Sequence, residues 1–412
     1  MANRPTAAVL PVQRSPVLNM KIGSLFSGYG GLDRAVMQVF PGSTVAWHCE
    51  FDKAPSTILS HHYPDVPNLH DVTQVEWEKV EPVDIITGGS PCQDLSSAGK
   101  RAGMTEGTRS NLWVNMREAV AVIKPRLVVW ENVQGALSAE AYSSSDMEPG
   151  KGFLGRGGGH LRALGRVLGD LAEIGYDARW TTIRASEVGA PHHRARVFLI
   201  AYPADAGCVG FQAARWGGGH GTQVAGTVGS ESTLPELDYF PTPQARGGMA
   251  GGQHPDIRRA GGHAVGMPDI GIELGELAHL PTPNTMDHLP AREGEAREKQ
   301  LRRGDINGSR RTSMGNLRED VIHPGDGGIY GRYEPVVRRW EQVTGTTAPN
   351  PTEINRNGKP HLNIEFAEWM MGLPKGWITG VPGLSRAQQL KAIGNGVVPQ
   401  QAAAALLLLK GI

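Results

Sequence analysis

A doubly wound α/β sheet ending in an antiparallel strand pair, with a smaller irregular domain attached, is the architecture this sequence predicts. Three observations carry the prediction. Short apolar runs rich in β-branched residues alternate with stretches of helical spacing between Lys21 and Ile174. Glycines crowd the junction after the first run, at Gly28, Gly30 and Gly31. Beyond Pro203 the composition shifts to Gly, Pro, Thr and Arg, with little periodicity for about 150 residues.

In chain order, Ile22-Gly23-Ser24-Leu25-Phe26 reads as the first strand, Gly31 to Val39 as a helix and Thr44 to Cys49 as the second strand. A third strand is expected ahead of Asp71, and Val83 to Thr87 supplies a later one. Leu112 to Ile123 has helical spacing, and Leu127-Val128-Val129-Trp130 is a buried strand. A Ser- and Gly-rich stretch from Ser138 to Gly159 interrupts the rhythm as a surface insertion. Leu161 to Ile174 resumes as helix, and Tyr176 to Ile183 followed by Arg196 to Tyr202 forms the terminal antiparallel pair. Residues 1–20, without periodicity, read as a flexible leader; 21–203 and 385–412 as one domain; 204–384 as the second. Within the latter, Leu280-Pro281-Thr282-Pro283 echoes Phe240-Pro241-Thr242-Pro243 as an extended brace. Lys299, Arg302, Arg303, Arg310 and Arg311 form a basic loop suited to phosphate contact or simply to solvation.

Composition bounds the function. The 412 residues are 39% hydrophobic, enough for a real core, and Lys plus Arg balance Asp plus Glu at 41 each. No global basic field announces a nucleic acid, so any such partner must be met by local patches. Three cysteines, Cys49, Cys92 and Cys208, make neither a disulfide framework nor a zinc cluster. The histidine pairs His61-His62 and His192-His193 are poor ligand sets, since adjacent side chains on extended backbone point apart, and no metal is expected. The apolar run Ala402 to Leu409 is too short to span a bilayer. No secretory h-region opens the chain, and a cytoplasmic location is expected.

Two constellations carry chemistry. The turn Phe26-Ser27-Gly28-Tyr29-Gly30-Gly31-Leu32-Asp33 follows a strand and opens a helix, a setting for close backbone approach to a nucleotide-like ligand. Glu50, at the end of the second strand, can take both hydroxyls of a ribose. The full G-x-G-x-x-G spacing that seats a pyrophosphate is missing, which favours a sulfonium cofactor over a dinucleotide. Asp71 can accept from an adenine amino group between Phe51 and Val72, or be an ordinary turn aspartate.

The second constellation starts at Ser90-Pro91-Cys92-Gln93, after Val83 to Thr87 and the pair Gly88-Gly89. A cysteine just past a buried strand sits where open α/β sheets place their ligands. A thiol is nucleophilic enough to attack an electron-poor ring carbon, although most cysteines are merely small buried hydrophobes. The loop Asp94 to Gly103 carries Lys100 and Arg101 and can close over an anionic substrate. Glu131-Asn132-Val133 follows the strand ending at Trp130, so a carboxylate shares the edge with Cys92. A partly protonated carboxyl there can donate to a ring nitrogen; the bland alternative is a salt-bridged or capping glutamate. Arg194 and Arg196, two apart, can aim both guanidiniums at one ligand.

Taken in order, Phe-Ser-Gly-Tyr-Gly-Gly (26–31), Gly-Ser-Pro-Cys-Gln (89–93), Glu-Asn-Val (131–133), Gly-Ala-Pro-His-His-Arg-Ala-Arg (189–196), the segment Leu362 to Pro374 and Gly-Asn-Gly-Val (394–397) resemble the C5-cytosine DNA methyltransferase family. The resemblance covers about 21–203 and 360–412. It implies a Rossmann-like methyltransferase sheet, a target-recognition domain in the irregular region, S-adenosyl-L-methionine as cofactor and a cytosine flipped out of duplex DNA. It further implies Cys92 as the nucleophile on C6, Glu131 on N3 and the exocyclic amine, Arg196 on O2, and Arg194 steadying the thiolate and nearby backbone. The cofactor side maps to Phe26, Ser27, Gly28, Tyr29, Gly30, Gly31, Leu32, Glu50, Phe51, Asp71, Val72, Pro91, Leu112, Asn395 and Val397. The substrate side maps to Ser90, Gln93, Ser96, Asn132 and Arg196.

Partners implied are double-stranded DNA and, for a modification enzyme, a cognate restriction endonuclease; the chain is expected to act as a monomer without a membrane. Three departures from the family pattern stand out: His192 where glutamine is usual, Gly396 where serine is common, and Ala98 where some members carry a duplex-penetrating polar residue. Competing readings are the RNA-acting branch of the same family, against which the long insert argues, and a silent DNA-binding relative, against which the intact motifs argue. A nicotinamide oxidoreductase is disfavoured by the turn spacing.

Overall fold

The computed structural model of the chain describes residues 19–90, 112–137, 140–141, 161–205, 279–285, 287–289, 291–292, 294–302, 317–323 and 328–410. Pro91, Cys92, Gln93, Ser96, Ala98 and most of the 138–159 insertion lie outside the described residues, as does the brace at 240–243.

Six strands form the central sheet: β1 (Lys21–Leu25), β2 (Thr44–Cys49), β3 (Ile85–Gly88), β4 (Leu127–Val133), β7 (Tyr176–Ile183) and β8 (Arg196–Pro203), in the order β2-β1-β3-β4-β8-β7. A two-residue pair, β5 (Glu140–Ala141) and β6 (Leu161–Arg162), lies apart from it. β2, β1, β3 and β4 run parallel, while β8 is antiparallel to both of its neighbours. The expected mixed sheet with a terminal antiparallel pair is therefore present.

Side-chain alternation on the buried strands explains why helices cover both faces. On one side Ile85, Leu127, Val129, Phe198 and Ile200 meet α1 (Gly31–Val39) and α10 (Pro399–Lys410). On the other, Ile86, Val128, Trp130 and Leu199 meet α3 (Trp113–Ile123) and α4 (Ala163–Glu173). Period-two alternation over fully buried strands requires an apolar layer on each face. One layer joins helices from the two ends of the chain, and the other comes from its middle.

Four expectations are corrected. β1 and β3 are shifted by one or two residues from the runs read as strands, within the usual latitude of strand ends. β4 does not stop at Trp130 but runs through Val133, because β8 supplies ladder partners for Glu131, Asn132 and Val133 beyond the end of β3. No strand precedes Asp71: only a parallel bridge between His48 and Asn68 forms, and Asp71 caps the short 3₁₀ turn Val72–Gln74. The stretch 161–174 opens as β6 and is helical only over α4.

The remaining elements are α2 (Lys53–His62), α5 (Gly294–Arg302), α6 (Leu317–Asp320), α7 (Glu334–Thr344), the hairpin β9 (Thr352–Ile354) with β10 (Pro360–Leu362), α8 (Ile364–Met370) and α9 (Arg386–Asn395). Lys299 and Arg302, assigned to a basic loop, fall in α5. α7 has a legible signature: Pro335 at its first turn and Val336, Val337 and Trp340 on one buried face. α6, α7, β10, α8 and α9 share a core with Tyr29, Ile58, Ala185 and Ala190 of the first half. By composition Arg386–Lys410 could cross a membrane, yet it breaks after Asn395 into two helices packed against protein, neither reaching eighteen residues.

One buried carboxylate holds this second core to its loop. Glu368 of α8, 1% exposed, accepts from the backbone N–H groups of Gly376, Ile378 and Thr379 and from the Thr379 hydroxyl. Glu368→Ala strands these donors in the interior, and a loss of about 3 kcal/mol or more is expected, read as a lowered urea midpoint at unchanged slope.

Candidate functional site

Register explains why chemistry gathers at one edge. Leu25 pairs with both Cys49 and Gly88, and Gly88 with Trp130, so the carboxyl ends of β2, β1, β3 and β4 lie in one row. Phe26, Glu50, Gly89 and Glu131 are the next residues on each strand. β8, running the other way, opens at this same edge with Arg196 opposite Val133. Such an edge is where open α/β sheets take ligands.

The turn after β1 uses backbone that few side chains tolerate: Phe26, Gly28 and Gly30 have φ of 53°, 56° and 80°. It is held from several sides. Gly30 N–H donates to the Ser27 carbonyl at 2.9 Å, and the Ser27 hydroxyl to Ser24 O at 3.0 Å. Gly28 N–H donates to Glu50 Oε2 and Asp52 N–H to Glu50 Oε1, both at 2.8 Å. Burial pushes the Glu50 carboxyl up, and these two N–H groups oppose the shift. Beneath the turn Asp33, 1% exposed, accepts from Ser24 Oγ at 2.7 Å and Thr87 Oγ1 at 2.6 Å, tying α1 to β1 and β3. Gly31 and Leu32 begin α1, with Leu32 buried against the sheet.

The adenine-side expectations separate. Phe51 is 73% exposed at the end of β2, a large aromatic face without cover. Asp71 Oδ1 accepts from Thr73 N–H at 3.0 Å and Thr73 Oγ1 at 2.8 Å, the capping role that an ordinary turn aspartate plays. Val72 is buried with Trp77 and Trp113, and Leu112 caps α3 against that cluster. Cys49, also here, is buried, donates to His70 O at 3.4 Å and has its thiol pushed up to about 12 by burial, so it is inert.

On the base side, Ser90 is pinned. Trp130 Nε1 donates to Ser90 Oγ at 3.1 Å, and Asn132 Nδ2 donates to Ser90 O at 3.2 Å. Asn132 is 1% exposed and spends its amide on this anchor. Glu131 forms an ion pair with Arg196, Nε to Oε1 2.9 Å, and a Cβ at Gly89 would come within 3.1 Å of Glu131 Oε2. Burial lifts the Glu131 carboxyl above the usual range; Arg196 and then Arg194 pull it back.

The two arginines do not share a ligand direction. Arg194 precedes β8 with φ of 33°, off the extended geometry on which same-face placement depends. Its Nη2 donates to the carbonyls of Gly394, at 3.1 Å, and Gly396. Arg196, within β8, turns to Glu131 instead.

The loop after α9 closes the cleft. Asn395, Gly396 and Val397 line it together with the glycine turn, Gly89 and Glu131, around ≈ 390 Å³ of empty space partly open to solvent. Tyr29, 1% exposed, donates its hydroxyl to Val397 O at 2.7 Å, and Trp377 Nε1 donates to Tyr29 O at 2.9 Å. His192, the departure from glutamine, is fully buried with Nε2 3.1 Å from Met370 O; burial and then Arg194 push its pKa down to about 3, so it is neutral. Asp33 and Trp377 were missed in the sequence. Asp33 had a signal, an acid in the first helical turn beside a glycine turn; Trp377 had none, its partner lying hundreds of residues away. Among the described residues no cluster of His, Cys, Asp and Glu could hold a metal.

The profile of the C-5 cytosine-specific DNA methylase family matches residues 20–214. The type II methyltransferase M.AquIA of Picosynechococcus is 30% identical over 198 residues, 44% of this chain and 72% of that protein. M.NgoBV of Neisseria gonorrhoeae, also a type II methyltransferase, is 31% identical over 184 residues; the chain spans only 40% of its length. Among solved structures, a mutant DNMT2 of Spodoptera frugiperda aligns over 95% of this chain and 99% of its own, at 14% identity and a TM-score of 0.47.

Proposed function

Because the chain belongs to the C-5 cytosine-specific DNA methylase family, we propose that it methylates cytosine at C5 in duplex DNA, with S-adenosylmethionine as donor. The observation that carries the reading is a cleft in which a strained glycine turn faces buried Glu131, itself ion-paired to Arg196.

The residues fit the cofactor. No heavy atom lies within 4 Å of where a Cβ on Gly28 would be, so the turn opens onto free space, and exposed Phe51 offers an aromatic face beside Glu50. Glu50 uses each oxygen once and keeps lone pairs for ribose hydroxyls. Phe51 and Val72 would flank the adenine, with Asp71 Oδ2 accepting from its amine; Asn395 and Val397 would close the far wall. When bound, the cofactor supplies an electrophilic methyl group.

The chain's own residues do the rest. Cys92 follows the pinned Ser90 by two residues, a reach of at most about 7 Å, from an edge it shares with Glu131. Its thiolate forms a bond to C6 of a cytosine drawn out of the stack. The C5=C6 electrons move to C5 as Glu131 donates a hydrogen bond at N3. C5 would take the methyl as the donor's carbon–sulfur bond breaks with its electron pair left on sulfur; C5 then gives its proton to water, and the electrons released re-form C5=C6 and expel Cys92 as thiolate. Arg196 would hold O2 and orient Glu131; Arg194 anchors the 394–396 loop. Ser90 and Asn132 fix the entry to the Pro91-Cys92 loop, with Gln93 and Ser96 proposed against the DNA. Residues 204–384 would read the target, the remaining 21–203 and 385–412 forming the catalytic domain of a monomeric cytoplasmic enzyme.

Bisulfite sequencing of plasmid DNA from expressing cells is expected to show protected cytosines in one short sequence context. Unprotected DNA from cells with folded protein, or a methyl group found on adenine, contradicts the reading.

A further inference from the structure

We infer that Tyr29 is a positioning residue that clamps the glycine turn to the 394–397 loop, and that position 396 is glycine to admit its ring. The inference rests on the reading above for what the turn binds.

Gly396 has φ −79° and ψ −179°, extended backbone open to any residue, so conformation does not demand glycine there. Space does. A Cβ on Gly396 would fall within the Tyr29 ring, and one on Gly31 would lie 2.7 Å from Tyr29 Cε2 and against Val397 O. The phenol ring is thus held between two glycines, one near each end of the sequence. Its hydroxyl tethers Val397 O, and burial raises its pKa, so it stays a donor. Arg194 grips the same loop through Gly394 and Gly396. Any side chain at 396 must push the ring out of this slot, and with it the turn whose Gly28 N–H donates to Glu50. The tyrosine and the departure from serine at 396 are therefore one feature: a large residue on the turn, matched by a missing one on the loop.

The test compares wild type with Tyr29→Phe, Tyr29→Leu, Gly396→Ser and the Tyr29→Leu/Gly396→Ser pair. Titration calorimetry with S-adenosylmethionine, thermal unfolding and steady-state methylation of plasmid DNA are the readouts. Tyr29→Phe keeps the ring and loses one part-buried hydrogen bond: affinity and cofactor KM weaken about tenfold, with kcat at saturating cofactor within about twofold and little change in Tm. Gly396→Ser loses at least about thirtyfold in affinity, and the pair recovers to within about threefold of Tyr29→Leu alone, a non-additivity expected only of residues in contact. Wild-type affinity in Gly396→Ser, or a pair no better than Gly396→Ser, overturns the inference while leaving the functional reading in place. A wild type that binds no S-adenosylmethionine defeats that reading, and the clamp falls with it.

Discussion

Cys92→Ala is expected to abolish methyl transfer to duplex DNA and to leave S-adenosylmethionine affinity within about threefold of wild type, since an alanine there removes the proposed nucleophile and no proposed polar contact to the cofactor. The separation is the informative part. A group that only stabilised the fold would lower both, whereas a sulfur that attacks C6 affects the chemical step alone. A duplex carrying 5-fluorocytosine sharpens the measurement: C5 then has no proton to lose, so wild type remains bonded to the DNA through denaturing electrophoresis and Cys92→Ala does not. Measurable turnover in the alanine variant removes the covalent route.

Glu131→Gln is expected to slow the chemical step by at least about a hundredfold, or about 2.7 kcal/mol of barrier, the scale of general acid-base help. The isosteric amide preserves volume beside Gly89 but removes both the charge that pairs with Arg196 and the acidic proton proposed for N3. The pH dependence has a definite sign. Burial raises the Glu131 pKa, so the carboxyl keeps its proton to higher pH than an exposed glutamate. Its contribution to rate is full below that raised pKa and is lost as pH climbs through it, while the thiolate fraction of Cys92 rises. Single-turnover rates across pH in wild type should bend where Glu131 deprotonates, and the Gln variant should lose that bend. An unchanged turnover contradicts the role.

Much of the fold was legible because local signals and tertiary demands agreed. α1 and β2 fall where apolar spacing put them, since Leu32, Ala35 and Val36 make one helical face and β2 carries β-branched and aromatic residues. Where local and tertiary signals parted, the reading slipped. β4 was cut short at Trp130 because Glu131 and Asn132 are polar, and only the antiparallel partner β8 makes strand of them. The stretch before Asp71 lacked a neighbour long enough for a ladder and stays irregular but for one bridge. Arg194 and Arg196 looked equivalent by spacing, yet the positive φ of Arg194 sends its guanidinium to the 394–396 loop. Asn132 is polar, and its burial with the amide bonded to Ser90 O follows from tertiary packing that its own segment does not show.

By itself the sequence determined which chemical groups exist and which strand end each one follows: a glycine turn after β1, an acid after β2, a thiol shortly after β3 and a carboxyl late in β4. These are properties of short segments, written in spacing and residue type. The tertiary structure alone decided which groups meet. It placed residues 394–397 over a turn near the start of the chain, paired Glu131 with Arg196 rather than with both arginines, and matched the Tyr29 ring to the space at Gly396. Contacts across hundreds of residues depend on how two faces of a sheet are covered and on volume that two side chains cannot share, and neither is encoded in any local run of sequence.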